Sequence, residues 1–248
     1  EKPSSTMGNV TCCNDFQICV IVTILVSAIV ICLLWRRIIL KPFKLITVFL
    51  HELGHATAAL ITCGKVRSIR VDENEGGLTE TQGGWMVCIL PAGYLGSSFW
   101  GAFFILMSAA CEASCRWTVR IGAGWMILVM LVVLIFKSAN NTIRWVLALF
   151  ILIFLIIFII DELWTDFNWE LAIFMLFFGT MNSLFAILDI YDDLISRTVY
   201  SSDASRFAEL TNTNARCWGV IWGIIAVVWF AFTLYFSVVL SELTANCN

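Results

Sequence analysis

Apolar residues run almost unbroken over residues 16–35, 45–63, 85–110, 119–136, 145–160, 171–189 and 217–240, and polar residues gather in the gaps between them. Runs of this length predict helices rather than strands, and about 20 apolar residues suffice to cross the hydrocarbon of a bilayer. The pattern therefore predicts an all-α polytopic membrane protein of about seven transmembrane helices. One gap has a different rhythm. Val66-Arg67-Ser68-Ile69-Arg70-Val71 alternates with period two, and Asp72 to Gly77 are turn formers, so the polar stretch 65–84 predicts a small β-hairpin. A second polar gap, 190–216, has room for a short surface helix over 203–210. Residues 1–15 are polar, and residues 16–248 are expected to form a single integral membrane domain.

Composition sharpens this picture. With 60% hydrophobic and 13% charged residues in 248, the chain goes mostly into spans and leaves no room for a sizeable soluble domain. The lipid bilayer is its solvent. A net charge of −3 without a basic patch excludes nucleic acid as a partner. Of the ten cysteines, Cys32, Cys63 and Cys88 lie in or at apolar runs and read as small hydrophobes; no disulfide framework is expected, with Cys12/Cys13 (on an exoplasmic N-terminus) and Cys111/Cys115 as the only candidate pairs. The first apolar run is too long for a signal-peptide core. Arg36, Arg37, Lys41 and Lys44 follow it directly, and by the positive-inside rule this loop points to the cytosol and the N-terminus outside, although basic residues at 65–70 and 197–216 weigh the other way. Sequons at Asn9-Val10-Thr11 and Asn140-Asn141-Thr142 then share the exoplasmic side, pointing to a secretory-pathway membrane without fixing the organelle. In the third run, Ala92 and Gly96, Gly93 and Ser97, and Ser97 and Gly101 are small pairs four apart, a face that lets another helix approach closely. The expected partner is the second run.

That second run carries the chemistry. His51-Glu52-Leu53-Gly54-His55 contains both histidines of the chain. Four residues apart on a helix, the two imidazoles share one face and can address one ion, while Glu52, about 100° round, addresses a water beside it. Ionisable groups within a span cost several kcal/mol unless partnered or functional, which makes a chance match a poor account. Catalytic zinc takes three protein ligands, and with no third histidine the remaining one must be Asp, Glu or Cys. Asp189 ends an apolar run, with Asn182 two helical turns earlier on the same face. Asp192 and Asp193 continue that face and stay open as alternatives.

Together, HExxH on a span, a polar hairpin, a Gly-rich span and a later span with Asn182 before Leu188-Asp189 resemble the site-2 protease family of intramembrane zinc metalloproteases. The resemblance covers roughly residues 45–193 and implies that His51, His55 and Asp189 bind Zn2+, that Glu52 is the general base and that Asn182 contacts substrate. The chain departs from the family pattern where Ile190 follows the Asp in place of Gly, and where no proline stands between Asn and Asp. No PDZ-like insert is present. The expected activity is hydrolysis of a peptide bond in or near a transmembrane segment of a substrate protein. The alternative is a catalytically silent scaffold or subunit of a larger membrane complex. A substrate helix must unwind to expose a peptide carbonyl, and strand addition at Val66, Ile69 and Val71 is the expected way of holding it. A channel or transporter would need polar residues on several spans, and the fourth and fifth runs have none embedded.

Overall fold

The computed structural model describes residues 15–110, 117–163, 169–192 and 202–245. Their elements, in order, are α1 (Asp15–Leu34), a 3-10 turn (Ile38–Leu40), α2 (Lys41–Ile61), β1 (Lys65–Val71), β2 (Gly77–Gln82), α3 (Met86–Ile89), α4 (Ala92–Ala109), α5 (Trp117–Phe136), α6 (Asn141–Leu163), α7 (Glu170–Tyr191), α8 (Asp203–Thr211) and α9 (Ala215–Ala245). The sequon at Asn9, the pairs Cys12/Cys13 and Cys111/Cys115, and Asp193 lie outside the described residues. Cys19, Cys32, Cys63, Cys88 and Cys217 carry free thiols.

Among the described residues, six helices, α1, α4, α5, α6, α7 and α9, are long and apolar enough to cross a membrane. The second expected span, α2, is a full-length helix, but Lys44, His51, Glu52 and His55 dilute its apolar character. It is sheltered instead, with 13 of its 21 residues buried. Pro42 sits in its first turn, where the missing N–H is no loss. It ends on Cys63 in the left-handed region, with the Gly64 N–H returning to the Ala59 carbonyl at 2.7 Å. The third expected span, 85–110, divides into α3 and α4 at Pro91, because proline has no N–H to continue a helix and its ring crowds the preceding turn.

α4 threads the centre of the molecule, and glycines set its distance from both neighbours. A methyl group on Gly96 would stand 2.8 Å from the Gly54 Cα of α2, so the small-residue face does meet the histidine-bearing helix. On the other side, a methyl on Gly101 would lie 2.7 Å from the Ser183 nitrogen and 2.8 Å from the Gly179 carbonyl of α7. Phe49, Phe104, Phe150, Phe154 and Phe178 fill the space between these helices. Much of the apolar surface of α5, α6 and α9 is left exposed, as lipid-facing helices require.

The hairpin lies against α2, its buried residues Val66, Ile69 and Val71 joining the main core. Lys44 anchors the turn: its Nζ reaches Glu75 Oε2 at 3.0 Å and stands 4.3 Å over the Trp35 ring. The α5–α6 connection then runs along the far side of β1. Ile69 donates to the Lys137 carbonyl at 2.8 Å and accepts from Ala139 at 2.9 Å, while Asn140 Nδ2 donates to the Val71 carbonyl at 2.7 Å. The amide of the second sequon is thus a structural donor.

Because Gly101 faces backbone on α7, Gly101→Ala is expected to destabilise the protein by about 1–3 kcal/mol through overpacking. Gly124, with nothing within 4 Å of its added methyl, is the control. Gly124→Ala is expected to be neutral or stabilising by up to about 1 kcal/mol through helix propensity. Thermal unfolding of the two variants in detergent measures the difference.

Candidate metal centre

One helical turn separates His51 from His55 on α2, and the rings meet edge to face at 4.9 Å. Tyr94 of α4 and Phe185 of α7 wall His51, their ring centroids 4.8 and 6.5 Å from it. His51, Glu52 and His55 are all buried, and each offers a ligand atom within 4.8 Å of the others. The packing leaves no slack, since a methyl on Gly93 of α4 would fall 2.3 Å from His51 Nε2 and 2.6 Å from His55 Cε1. Only glycine fits beneath the two imidazoles.

The break at Pro91 has a second use here. Ile89 ends α3, and its carbonyl lies 2.7 Å from His55 Nδ1. A carbonyl only accepts, so Nδ1 carries a proton and Nε2 is turned inward. Facing it is a carboxylate from α8. Asp203 Oδ2 lies 2.9 Å from His51 Nε2 and 3.0 Å from His55 Nε2.

Asp203 reaches this place because α8 is pinned from behind. Ser202 caps the helix, its Oγ accepting from the Ser205 N–H, and Ala204 and Phe207 sink into a cluster with Leu90, Tyr94, Ile190 and Trp222. The Phe207 and Trp222 rings are 5.3 Å apart, and Tyr94 continues the stack at 5.9 Å from Trp222. Burial pushes the Asp203 carboxyl up, but the imidazoles of His55 and His51 more than reverse this and hold it well below the usual carboxylate range. The charged oxygen is therefore kept as a donor.

Two imidazole Nε2 atoms and one carboxylate oxygen converge in a buried space, a donor set that a cation between them would satisfy. Without an ion, His51 can donate to Asp203 as the neutral Nε2–H tautomer, whereas His55, whose Nδ1 already donates to Ile89, can do so only when charged. A single divalent ion satisfies all three at once, and nitrogen and oxygen donors in this number suit zinc. The residues present fit the metal.

Glu52 stands beside this trio, under the hairpin. Thr79 of β2 donates to Glu52 Oε2 at 2.6 Å and lies 2.9 Å from its main-chain carbonyl. A cavity of about 120 Å³ opens there, walled by Glu52, His55 and Asp203 on one side and by Gly77, Thr79 and Thr81 on the other. Arg206, one turn along α8 from Asp203, also lines it.

The family model of Peptidase M50B-like proteins matches residues 24–233, most of the chain and every element of this centre. This chain belongs to the Peptidase M50B-like family, of the site-2 protease type. No curated protein and no solved structure matches the chain. At family level, membership means membrane-embedded zinc metalloproteases acting on transmembrane substrates.

Within this M50B-like framework, the other residues singled out from sequence fall in different places. Asp189 is half-buried near the end of α7, one turn beyond Phe185. The carboxylate set against both imidazoles in the structure is Asp203, which stands on a short polar helix and not at the end of an apolar run. Asp192 accepts a 3.0 Å hydrogen bond from Trp35 Nε1. Asn182 is fully buried, its Nδ2 donating to the Phe178 carbonyl at 2.8 Å, and it does not line the cavity.

Val66, Ile69 and Val71 differ most from expectation as a substrate edge. The carbonyl of Val66 accepts from Lys137 Nζ, and Ile69 and Val71 are engaged by residues 137–140, so that edge of β1 is occupied. Ile69 pairs with Thr79 and Val71 with Gly77. Since Ile69 and Val71 direct their backbone groups away from β2, antiparallel alternation turns those of Thr79 and Gly77 away from β1, onto the cavity side. The edge that borders the cavity is that of β2.

Asp203→Asn is expected to lower bound zinc at least about tenfold, as loss of a ligand does, whereas Asp189→Asn and Asp192→Asn retain it. Metal content of the purified variants by mass spectrometry decides between the three aspartates.

Proposed function

We propose that this chain is an intramembrane zinc metalloendopeptidase that hydrolyses a peptide bond in or near a transmembrane segment of another membrane protein. The observation that carries the reading is the convergence of His51, His55 and Asp203 on one point, with Glu52 beside them at a cavity edged by β2. In this reading His51, His55 and Asp203 hold Zn2+. Bound there, zinc supplies Lewis acidity toward a peptide carbonyl and toward a water. Glu52 takes the proton from the attacking water and passes it to the leaving amine. The Ile89 carbonyl keeps His55 in the tautomer that binds metal, and Gly93 keeps both rings in register.

The cavity also limits the substrate. The cavity holds only about 120 Å³, whereas an α-helix with side chains is about 10–12 Å across, so in this reading the segment presented there is extended. Strand addition along Gly77, Thr79 and Thr81 meets the backbone hydrogen-bonding needs of such a segment. A silent scaffold would use neither a carboxylate beside the metal nor an open strand edge next to it, and both favour the enzyme.

The test uses zinc-loaded protein reconstituted with a single-span reporter whose transmembrane segment contains Gly and Pro. Glu52→Gln is expected to lower cleavage by about 100- to 10,000-fold, the range for general acid–base groups, while leaving about one zinc per chain. Undiminished cleavage by that variant would sink the proposal.

A further inference from the structure

The hairpin does more at this site than offer an edge. Glu52 has one carboxylate oxygen 2.6 Å from Thr79 Oγ1, and the other so close to Gly77 that a methyl there would fall 2.3 Å from it. Two alternate residues of β2, whose backbone groups face the cavity, therefore meet the two oxygens of Glu52, Thr79 through a hydrogen bond and Gly77 through close packing. The Thr79 hydroxyl has one proton and two acceptors within reach, Glu52 Oε2 at 2.6 Å and the Glu52 carbonyl at 2.9 Å. The shorter, charged acceptor is the stronger.

We propose that Thr79 is a positioning residue for the general base: its side-chain hydroxyl fixes the Glu52 carboxylate at the cavity while its main chain registers the extended substrate. The proposal rests on the enzymatic reading above. It follows that one residue couples the two requirements of hydrolysis, the place of the scissile bond and the direction of the base. A free glutamate side chain has three rotatable bonds and would address the water only part of the time. Anchored at Oε2 and backed by Gly77 at Oε1, it has one orientation. Threonine also suits the strand through its β-branched shape, so the hydroxyl rather than the fold distinguishes it from valine.

The test compares Thr79→Val, of the same shape without the hydroxyl, with Thr79→Ser, which keeps the hydroxyl. Both are zinc-loaded, reconstituted and assayed on the single-span reporter alongside wild type and Glu52→Gln. Thr79→Val is expected to lower kcat about 10- to 100-fold, the value of a hydrogen bond to a charged group. Its KM should change less than about threefold, because strand addition uses the main chain, and zinc content should stay at about one per chain. Thr79→Ser should recover kcat to within about threefold of wild type. A structure of zinc-loaded Thr79→Val should show the Glu52 carboxylate turned from its wild-type position, a readout independent of turnover. Wild-type kcat in Thr79→Val, a defect that Thr79→Ser shares equally, a change in KM alone, or an unmoved Glu52 would each overturn the proposal while Glu52→Gln remains inactive. Equal cleavage by wild type and Glu52→Gln would overturn the enzymatic reading itself, and the role of Thr79 with it.

Discussion

The contact between α2 and α4 governs this molecule. Where Gly54 meets Gly96, the two helices come together backbone to backbone, and one turn away Gly93 passes under both imidazoles. Any side chain at these positions would part the helices and tilt the histidines off their common point. The same closeness is how a helix as polar as α2 is tolerated among apolar spans, since its neighbours screen His51, Glu52 and His55 from lipid while leaving them room to face inward. Polar groups that would be costly in hydrocarbon become available for chemistry because helices without side chains at the crossing shelter them.

A second layer of contacts settles where each polar group points. Proline at 91 interrupts the helix and releases a carbonyl for His55, so a local backbone defect sets a tautomer. Lys44, a buried cation, is satisfied by Glu75 and the face of Trp35, and this holds the hairpin turn down over the site. Residues 137–140 close the rear edge of β1. Blocking one edge leaves the sheet able to grow only at the edge beside Glu52.

The parts of this structure legible in the sequence are those written in local spacing. Run lengths announced the helices, period two announced the hairpin, and the four-residue interval put His51 and His55 on one face. Pro91 divided the third run at the residue whose chemistry forbids a continuous helix, a break that a hydropathy profile passes over. Asp203 was obscure for another reason. Its partners are some 150 positions away, and its helix is short, polar and not a span. The available signal was Ser202-Asp203 opening a nine-residue helix that buries Ala204, Phe207 and Ala208, because a surface helix with so apolar a face must dock on something. The free edge of the hairpin was obscure as well, for it depends on a connection between two later helices.

Under the zinc reading, the division of the centre between α2 and α8 has an energetic consequence. Two of its donors sit on a helix locked into the core, whereas the third rides on a nine-residue segment held by aromatic packing against Tyr94, Trp218 and Trp222. Seating that segment and filling the centre are therefore one linked equilibrium: the ion strengthens the docking, and the docking strengthens the hold on the ion. The aromatic stack around Phe207, which touches no metal, thereby becomes a determinant of metal affinity.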